Sequence, residues 1–368
     1  MKNLRTSLAI MVLCLISFGI VMIYSASGIF ALKELKDSMY FLNRHLIFLF
    51  IGGILTIVMM SFDYRELKRW IKPLLILSII LLVLVLIPGI GKASSGARRW
   101  FKIGFFSFQP SEFVKLVVLI YMADFLSRKQ AKVSDLWRGF LPPFFVMGVI
   151  CLLVVKQPDL GNAVLIASSI FVMLFIAGTR ISYLGAIVMM AIPALYFLIT
   201  KVAYRMKRII SFIDPWKDSL GVGFQLTQSQ IALGAGGLWG VGLGHSTQKL
   251  FYLPAAHTDF IFSIIGEELG LLGTLIVIFL FMGFIWQGAR IAKRTTDSFG
   301  YFLATGIVAM LGMQAVVNIG VSIGALPTKG LPLPFISYGG SALIFNMMAV
   351  GILLNISRIE DLTKEKSE

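Results

Sequence analysis

Residues 251–270 read Phe-Tyr-Leu-Pro-Ala-Ala-His-Thr-Asp-Phe-Ile-Phe-Ser-Ile-Ile-Gly-Glu-Glu-Leu-Gly. They set one carboxylate, Asp259, where a polar loop becomes a long apolar segment. An ionisable group at the end of a membrane helix is costly to desolvate, which marks it as a candidate for chemistry. A helix starting near Asp259 turns about 100° per residue, so Ser263, Gly266, Gly270 and Gly273 fall near its side. That strip of small residues suits either close helix packing or a groove for an acyl chain whose head group meets Asp259. Glu268 points nearly opposite, while Glu267 lies about 80° away and ranks ahead of it as a neighbour of the site. Either glutamate could instead form a structural ion pair.

Two further helix starts resemble each other: Gln109-Pro-Ser-Glu112 and Gln157-Pro-Asp159-Leu-Gly161. Proline suits a first turn and an acidic residue there complements the helix dipole. Capping therefore accounts for them, yet both face the same way as Asp259, which makes Glu112 and Asp159 site candidates. Lys115 stands three residues after Glu112 and can pair with it. Arg98, Arg99 and Lys102 flank Trp100, and Arg205, Lys207, Arg208 and Lys249 lie in a later loop. Guanidinium forks match phosphate oxygens, so these cations could clamp a diphosphate; anchoring in lipid head groups is the alternative. Gly240–Lys249 lacks phosphate-loop spacing and follows no strand, although its glycine amides could cradle a diphosphate. The segment holding Pro327, Pro332, Pro334 and Phe335–Ser341 reads as a rigid, re-entrant connection beyond Asn318.

The surrounding chain is membrane material. It has 368 residues, 58% hydrophobic and 14% charged, against about 25% charged for a soluble domain. Apolar runs near 7–28, 44–62, 73–90, 108–126, 139–156, 160–178, 181–200, 259–286, 301–325 and 341–357 are each long enough to span a bilayer. The expected fold is all-α: a polytopic, single-domain bundle over residues 1–368 with ten transmembrane helices. A large extracytoplasmic loop, about 201–258, joins helices 7 and 8, and a charged cytoplasmic tail covers about 358–368. The irregular polar and apolar alternation of 225–233 suggests a short amphipathic helix at the interface. Lys/Arg bias in the short connections favours both termini inside. The first segment resembles a signal peptide, but it is long and nine more follow, so cleavage is not expected. A net charge of +15, with cations outside, suits an anionic ligand in or on the membrane. Cys14 and Cys151 read as buried apolar residues. The three histidines lack zinc-site spacing.

Read together, these stretches resemble the SEDS family (shape, elongation, division and sporulation proteins), closest to its FtsW/SpoVE branch. The matching pieces run in order: Gly96–Phe101, Gln109–Glu112, Gln157–Gly161, Phe212–Trp216, Gly237–Gly244, His257–Phe262, Gly266–Gly270 and Leu333–Ser341. The resemblance implies a ten-helix bundle with both termini inside. It implies a peptidoglycan glycosyltransferase in the bacterial cytoplasmic membrane, polymerising lipid II at the outer face beside a class B penicillin-binding protein. Other divisome or elongation membrane proteins and membrane lipids are further expected partners; nucleic acid is not. The resemblance makes Asp259 essential and adds His257, Thr258 and Ser337 to the substrate-binding candidates. Ala255 stands where the family usually has glutamate, and Ala342 where it often has a second serine.

In the mechanism this implies, a sugar hydroxyl of one lipid II attacks the anomeric carbon of the growing lipid-linked strand. Undecaprenyl diphosphate leaves, and Asp259 takes the hydroxyl proton or orients the nucleophile. A free aspartate is a weak base, near pKa 3.9; partial burial would raise it. A diphosphate needs cations rather than the second carboxylic acid of a glycosidase. A divalent ion (Mg or Mn) could assist, but no ligand set is legible. A lipid II flippase and a non-catalytic scaffold for the transpeptidase are the competing readings.

Overall fold

The computed structural model describes residues 1–94, 97–104, 106–133, 135–218, 221–250 and 252–365. Gly96, Phe251 and the last three residues of the expected tail lie outside them. The chain is mostly helical: α1 (Lys2–Leu35), α2 (Tyr40–Ser61), α3 (Leu67–Leu84), α4 (Pro110–Lys129), α5 (Leu141–Lys156), α6 (Leu160–Ile176), α7 (Ile181–Thr200), α8 (Ala203–Ile213), α9 (Phe224–Gly236), α10 (Ile261–Arg294), α11 (Ser298–Ser322) and α12 (Gly340–Glu365). Among the described residues, seven helical segments are long and apolar enough to cross a membrane: α1, α2, α5 with the turn before it, α7, α10, α11 and α12. The chain is thus a multi-pass membrane protein. α6 is apolar but shorter. The run expected at 73–90 ends as helix at Leu84 and begins at Leu67, taking Lys68, Arg69 and Lys72 into its first turns.

The all-α expectation needs one correction. Between α3 and α4 a three-stranded antiparallel sheet forms from β1 (Lys92–Ser94), β2 (Ala97–Ile103) and β3 (Phe106–Phe108). Phe101 pairs with Phe108 across strands, and their rings stack at 6.3 Å. Such cross-strand aromatic pairs stabilise a ladder, and a loop reading of a Gly- and Ser-rich segment missed it.

The core gathers around α4, α11 and α12, whose apolar side chains are buried on most of their circumference, and around the first turns of α10, where Ile261–Glu268 are buried. Local chemistry sets the helix starts. Pro110 occupies the first turn of α4. Asp159 and Asp297 cap α6 and α11 by accepting from the amides of Asn162 (3.3 Å) and Gly300 (2.9 Å), filling donors that a helix start leaves open.

α10 is broken at Gly270, where φ is 67°. The loop after α9 fills the gap. Val241 and Gly242 donate to the carbonyls of Glu267 (2.9 Å) and Glu268 (3.0 Å), and Leu271 donates to Gly237 (2.9 Å). At membrane depth each unpaired backbone group is expensive, so a broken span needs such a partner. A Cβ on Gly270 would stand 2.5 Å from the Leu238 carbonyl. The small-residue strip is therefore closed over part of its length: Ser229 of α9 meets Ser263 at 2.5 Å, and Gly236 abuts Gly266. Packing occupies the strip there, not an open acyl groove.

The helix foreseen at 225–233 forms as α9, but it packs into the bundle against α10 and α11, burying Leu226, Ser229 and Ala232. The segment that segregates basic from apolar residues is α8, with Arg205, Lys207 and Arg208 on one side and exposed Met206, Ile210 and Ile213 on the other. The interior at 225–233 is small and polar enough to pack between helices, which a surface reading overlooked.

Candidate active site

Asp259 closes a turn that leads into α10. The carbonyl of Ala255, itself at φ 58°, accepts from the amides of Thr258 (3.0 Å) and Asp259 (3.1 Å) and from the Thr258 hydroxyl (3.1 Å). Asn318 of α11 ties that turn to the next connection, donating to the carbonyls of Asp259 (2.9 Å) and Leu331 (2.7 Å). The Asp259 carboxylate itself accepts no hydrogen bond from the described residues. Gly330 lies against it: a Cβ there would be 3.1 Å from the carboxylate oxygen. Burial pushes the Asp259 carboxyl up from the usual carboxylate range to about 6, against the pull of the Arg208 and Arg99 guanidinium groups.

Those two arginines arrive from different elements. Arg99 of β2 donates to the carbonyls of Gln157 (3.1 Å) and Pro158 at the start of α6. Arg208 of α8 donates to the Thr328 carbonyl at 3.0 Å. Asp159 is held by Gln109 (3.0 Å) and Asn162 (2.9 Å). Ser341 of α12 fixes the same corner, accepting from the Gln109 amide (3.0 Å) and donating to the Ser107 carbonyl (2.9 Å). The sheet and the starts of α4, α6, α10 and α12 thus meet at one end of the bundle. Lys329, between Thr328 and Gly330, completes the group. Burial lowers its ammonium pKa, opposed by Asp159. Its ammonium makes no hydrogen bond or ion pair with the described residues, while its carbonyl accepts from the Leu331 amide at 3.0 Å.

A carboxylate poised near neutrality beside several cations suits proton transfer next to a polyanion. The chain matches, over residues 5–362, the family described as cell cycle protein that groups FtsW, RodA and SpoVE. The chain belongs to that family. It is 50% identical over 350 residues to the probable peptidoglycan glycosyltransferase FtsW of Trichlorobacter lovleyi, covering 95% of this chain and 92% of that one. It is 44% identical over 351 residues to the stage V sporulation protein E of Bacillus subtilis, covering 95% and 96%. Its fold superposes on a chain of a peptidoglycan synthase complex that coordinates polymerization and crosslinking, with a TM-score of 0.79, 29% identity and coverage of 96% and 97%. The rod shape determining protein RodA of Thermus thermophilus gives 0.71 at 27% identity, with 95% of each chain covered.

Within this FtsW/RodA/SpoVE framework the remaining candidates separate. Glu112 and Lys115 form a fully buried ion pair at 2.8 Å inside α4, and Lys115 also reaches Gln314 of α11 at 3.3 Å. Lys249 pairs with Glu268 at 2.7 Å, and both bind Ser25 of α1. Glu267 accepts from the Ser246 and Thr247 hydroxyls and from the amides of Thr247 (2.8 Å) and Gln248 (3.4 Å). The Glu267, Glu268 and Lys249 contacts hold the 246–249 loop that precedes Asp259, while the Glu112–Lys115 pair ties α4 to α11. Ser337 accepts from the Leu333 amide at 2.8 Å and shapes its own turn. Arg205 closes the α7–α8 corner on the Leu198 carbonyl at 2.9 Å. Arg98, Lys102 and Lys207 are exposed.

His257 packs among rings, 4.5 Å from Phe41 and 5.9 Å from Tyr338. Burial lowers its imidazole pKa to about 4, so it is neutral at pH 7 and offers no cation to a phosphate. Sequence reasoning missed Lys329. The signal was there: a lone lysine between Pro327 and Pro332, in a connection already read as rigid.

Proposed function

We propose that this chain is a peptidoglycan glycosyltransferase, the activity its relatives are named for, and that it joins lipid II units at the outer face of the bacterial cytoplasmic membrane. The observation that carries the residue assignment is the Asp259 carboxyl: unbonded by the described residues, raised to about 6, and flanked by Arg99 and Arg208. A base with that affinity accepts a proton at neutral pH far better than a free aspartate does. An acceptor sugar hydroxyl attacks the anomeric carbon of the lipid-linked donor. Its proton passes to Asp259 and a new C–O bond forms. The old C–O bond breaks, and its electron pair leaves on the diphosphate. Arg99, Arg208 and Lys329 neutralise that charge. Lys329 suits the task because burial already destabilises an ammonium that has no hydrogen-bonded anion among the described residues.

The residues do not outline a metal centre: among those described, no three His, Cys, Asp or Glu side chains converge on an ion-sized site. Asp159 spends its oxygens on Gln109 and Asn162. The mechanism therefore routes no step through a metal. In our reading the single domain crosses the membrane ten times, α1 to α7 and α10 to α12 each spanning once, with both termini inside. α8 and α9 belong to the outer loop, and a class B penicillin-binding protein is the crosslinking partner.

The test uses the purified protein with its transpeptidase partner and lipid II, read as glycan ladders on a gel. Wild type makes ladders and Asp259→Ala makes none. Full-length ladders from Asp259→Ala would end the catalytic assignment. Passage of labelled lipid II across vesicles without any ladder would favour a flippase.

A further inference from the structure

Beside the cations, a second group of residues is tied to the turn that carries Asp259, and the reaction above does not use it. His257, two residues before it, lies in a cluster of rings drawn from three other segments. Phe30 comes from the end of α1, Tyr40 and Phe41 from the start of α2, and Tyr338 from the connection before α12. Phe41 sits 5.3 Å from Tyr40, 5.1 Å from Tyr338 and 6.2 Å from Phe30, centroid to centroid. Phe30 lies 5.9 Å from His257. The Arg44 guanidinium covers the Tyr40 ring at 4.8 Å and acts electrostatically on the Tyr338 hydroxyl. The Tyr338 amide donates to the His257 carbonyl at 3.0 Å, locking this cluster to the turn that carries Asp259.

Two features separate the cluster from ordinary packing. Phe30, Tyr40, Phe41, Arg44, His257 and Tyr338 all keep part of their surface open, whereas core rings such as Phe262, Phe284 and Phe299 are fully buried. Interfacial belt aromatics are mostly Trp and Tyr anchors at head-group level; here five rings touch and an arginine joins them. Flat faces edged by hydroxyl and guanidinium donors fit a ligand that is itself two-faced, with C–H groups on its flat side and hydroxyls at its rim. A pyranose ring has that form. A hydrocarbon tail would not need the arginine, and a diphosphate would need more than one cation.

We infer that these rings form a saccharide subsite, a platform that stacks the acceptor sugar and presents its hydroxyl to Asp259. The inference rests on the glycosyltransferase reading. It adds that the acceptor is recognised by aromatic stacking at the α1–α2 corner, while the leaving diphosphate is recognised by the cations of β2, α8 and the 327–331 connection.

Two sets of variants test it. Phe30→Leu and Tyr40→Leu keep apolar bulk and remove the flat face; Phe30→Tyr and Tyr40→Phe keep it. The probe is purified lipid II, and the readouts are ladder length, KM and kcat. Losing one stacked face should raise KM about tenfold and shorten the ladders, with kcat within about twofold and an unchanged melting temperature. Phe30→Tyr should behave as wild type, and Tyr40→Phe, which keeps the face but loses one rim hydroxyl, should lie between wild type and Tyr40→Leu. Leu variants with wild-type KM and ladders overturn the platform. So does a loss that tracks a lowered melting temperature in both sets, or one that appears only as weaker binding of the transpeptidase. Failure of the reaction itself would show differently, as a wild-type protein that makes no ladders.

Discussion

Asp259 and the pair Glu267–Glu268 lie within ten residues of one another and meet opposite fates. Glu267 is saturated by four hydrogen bonds from the 246–248 loop, and Glu268 is neutralised by Lys249 and accepts a hydrogen bond from Ser25. Asp259 is crowded by Gly330 and approached by Arg99 and Arg208, yet no described residue bonds its carboxylate. The lysines divide in the same way: Lys115 and Lys249 are locked in buried pairs, while Lys329 has none among the described residues. A satisfied charge holds a fold together, because breaking it strands its partner in low dielectric. A charge left with open valences is available to a substrate. In this bundle satisfaction, more than burial alone, separates scaffold from chemistry.

The sharpest way to break that contrast is activity. Asp259→Asn should lower ladder synthesis by about 10²–10⁴-fold, the range for a lost general base. Lys329→Met should lower kcat by about 10²-fold if it neutralises the departing diphosphate, with no loss of melting temperature. A Lys329→Met enzyme of wild-type rate would move that residue to the scaffold class.

Stability reads the other half. Glu268→Gln strands Lys249 and should cost about 3–5 kcal/mol, seen as lost thermal stability and poor recovery from the membrane. Asp259→Asn should do the reverse. The Asp259 pKa is raised on folding, so its protonated form is the one the fold favours. Its contribution is fully present below the unfolded value and is lost as pH rises through about 6. At pH 7 the charge therefore works against the fold, and Asp259→Asn should stabilise by on the order of 2 kcal/mol. Catalysis has the matching sign: kcat should fall as pH drops through about 6 and level off above it, a profile absent from residual Asp259→Asn turnover. The smallest effect is backbone. Ala255 holds φ 58°, so Ala255→Gly should relieve about 1 kcal/mol of left-handed strain and leave the rate unchanged.

Much of this was legible from residue order. The apolar runs, the proline-led start of α4 and the lone carboxylate at Asp259 all follow from local rules of length, capping and desolvation; Pro158, expected in the first turn of α6, instead lies before its Asp159 cap. The 92–108 sheet was missed because its pairing depends on Phe101 meeting Phe108 across a turn. α9 was assigned to the surface because its small, polar residues look solvent-bound until Ser229 and Gly236 are seen against Ser263 and Gly266. Lys249 looked like a phosphate cation for the same reason that Lys329 was passed over: a lysine in a loop announces a charge but not its partner.

Composition and spacing by themselves determined that the chain is a helical membrane protein with an acid at the mouth of one span, because hydrophobic length and helix-end chemistry are written locally. The fold decided which charges are spent on one another and which remain open. That choice depends on contacts between residues far apart in sequence, such as Ser25 with Glu268 and Gly330 with Asp259, which no local pattern encodes.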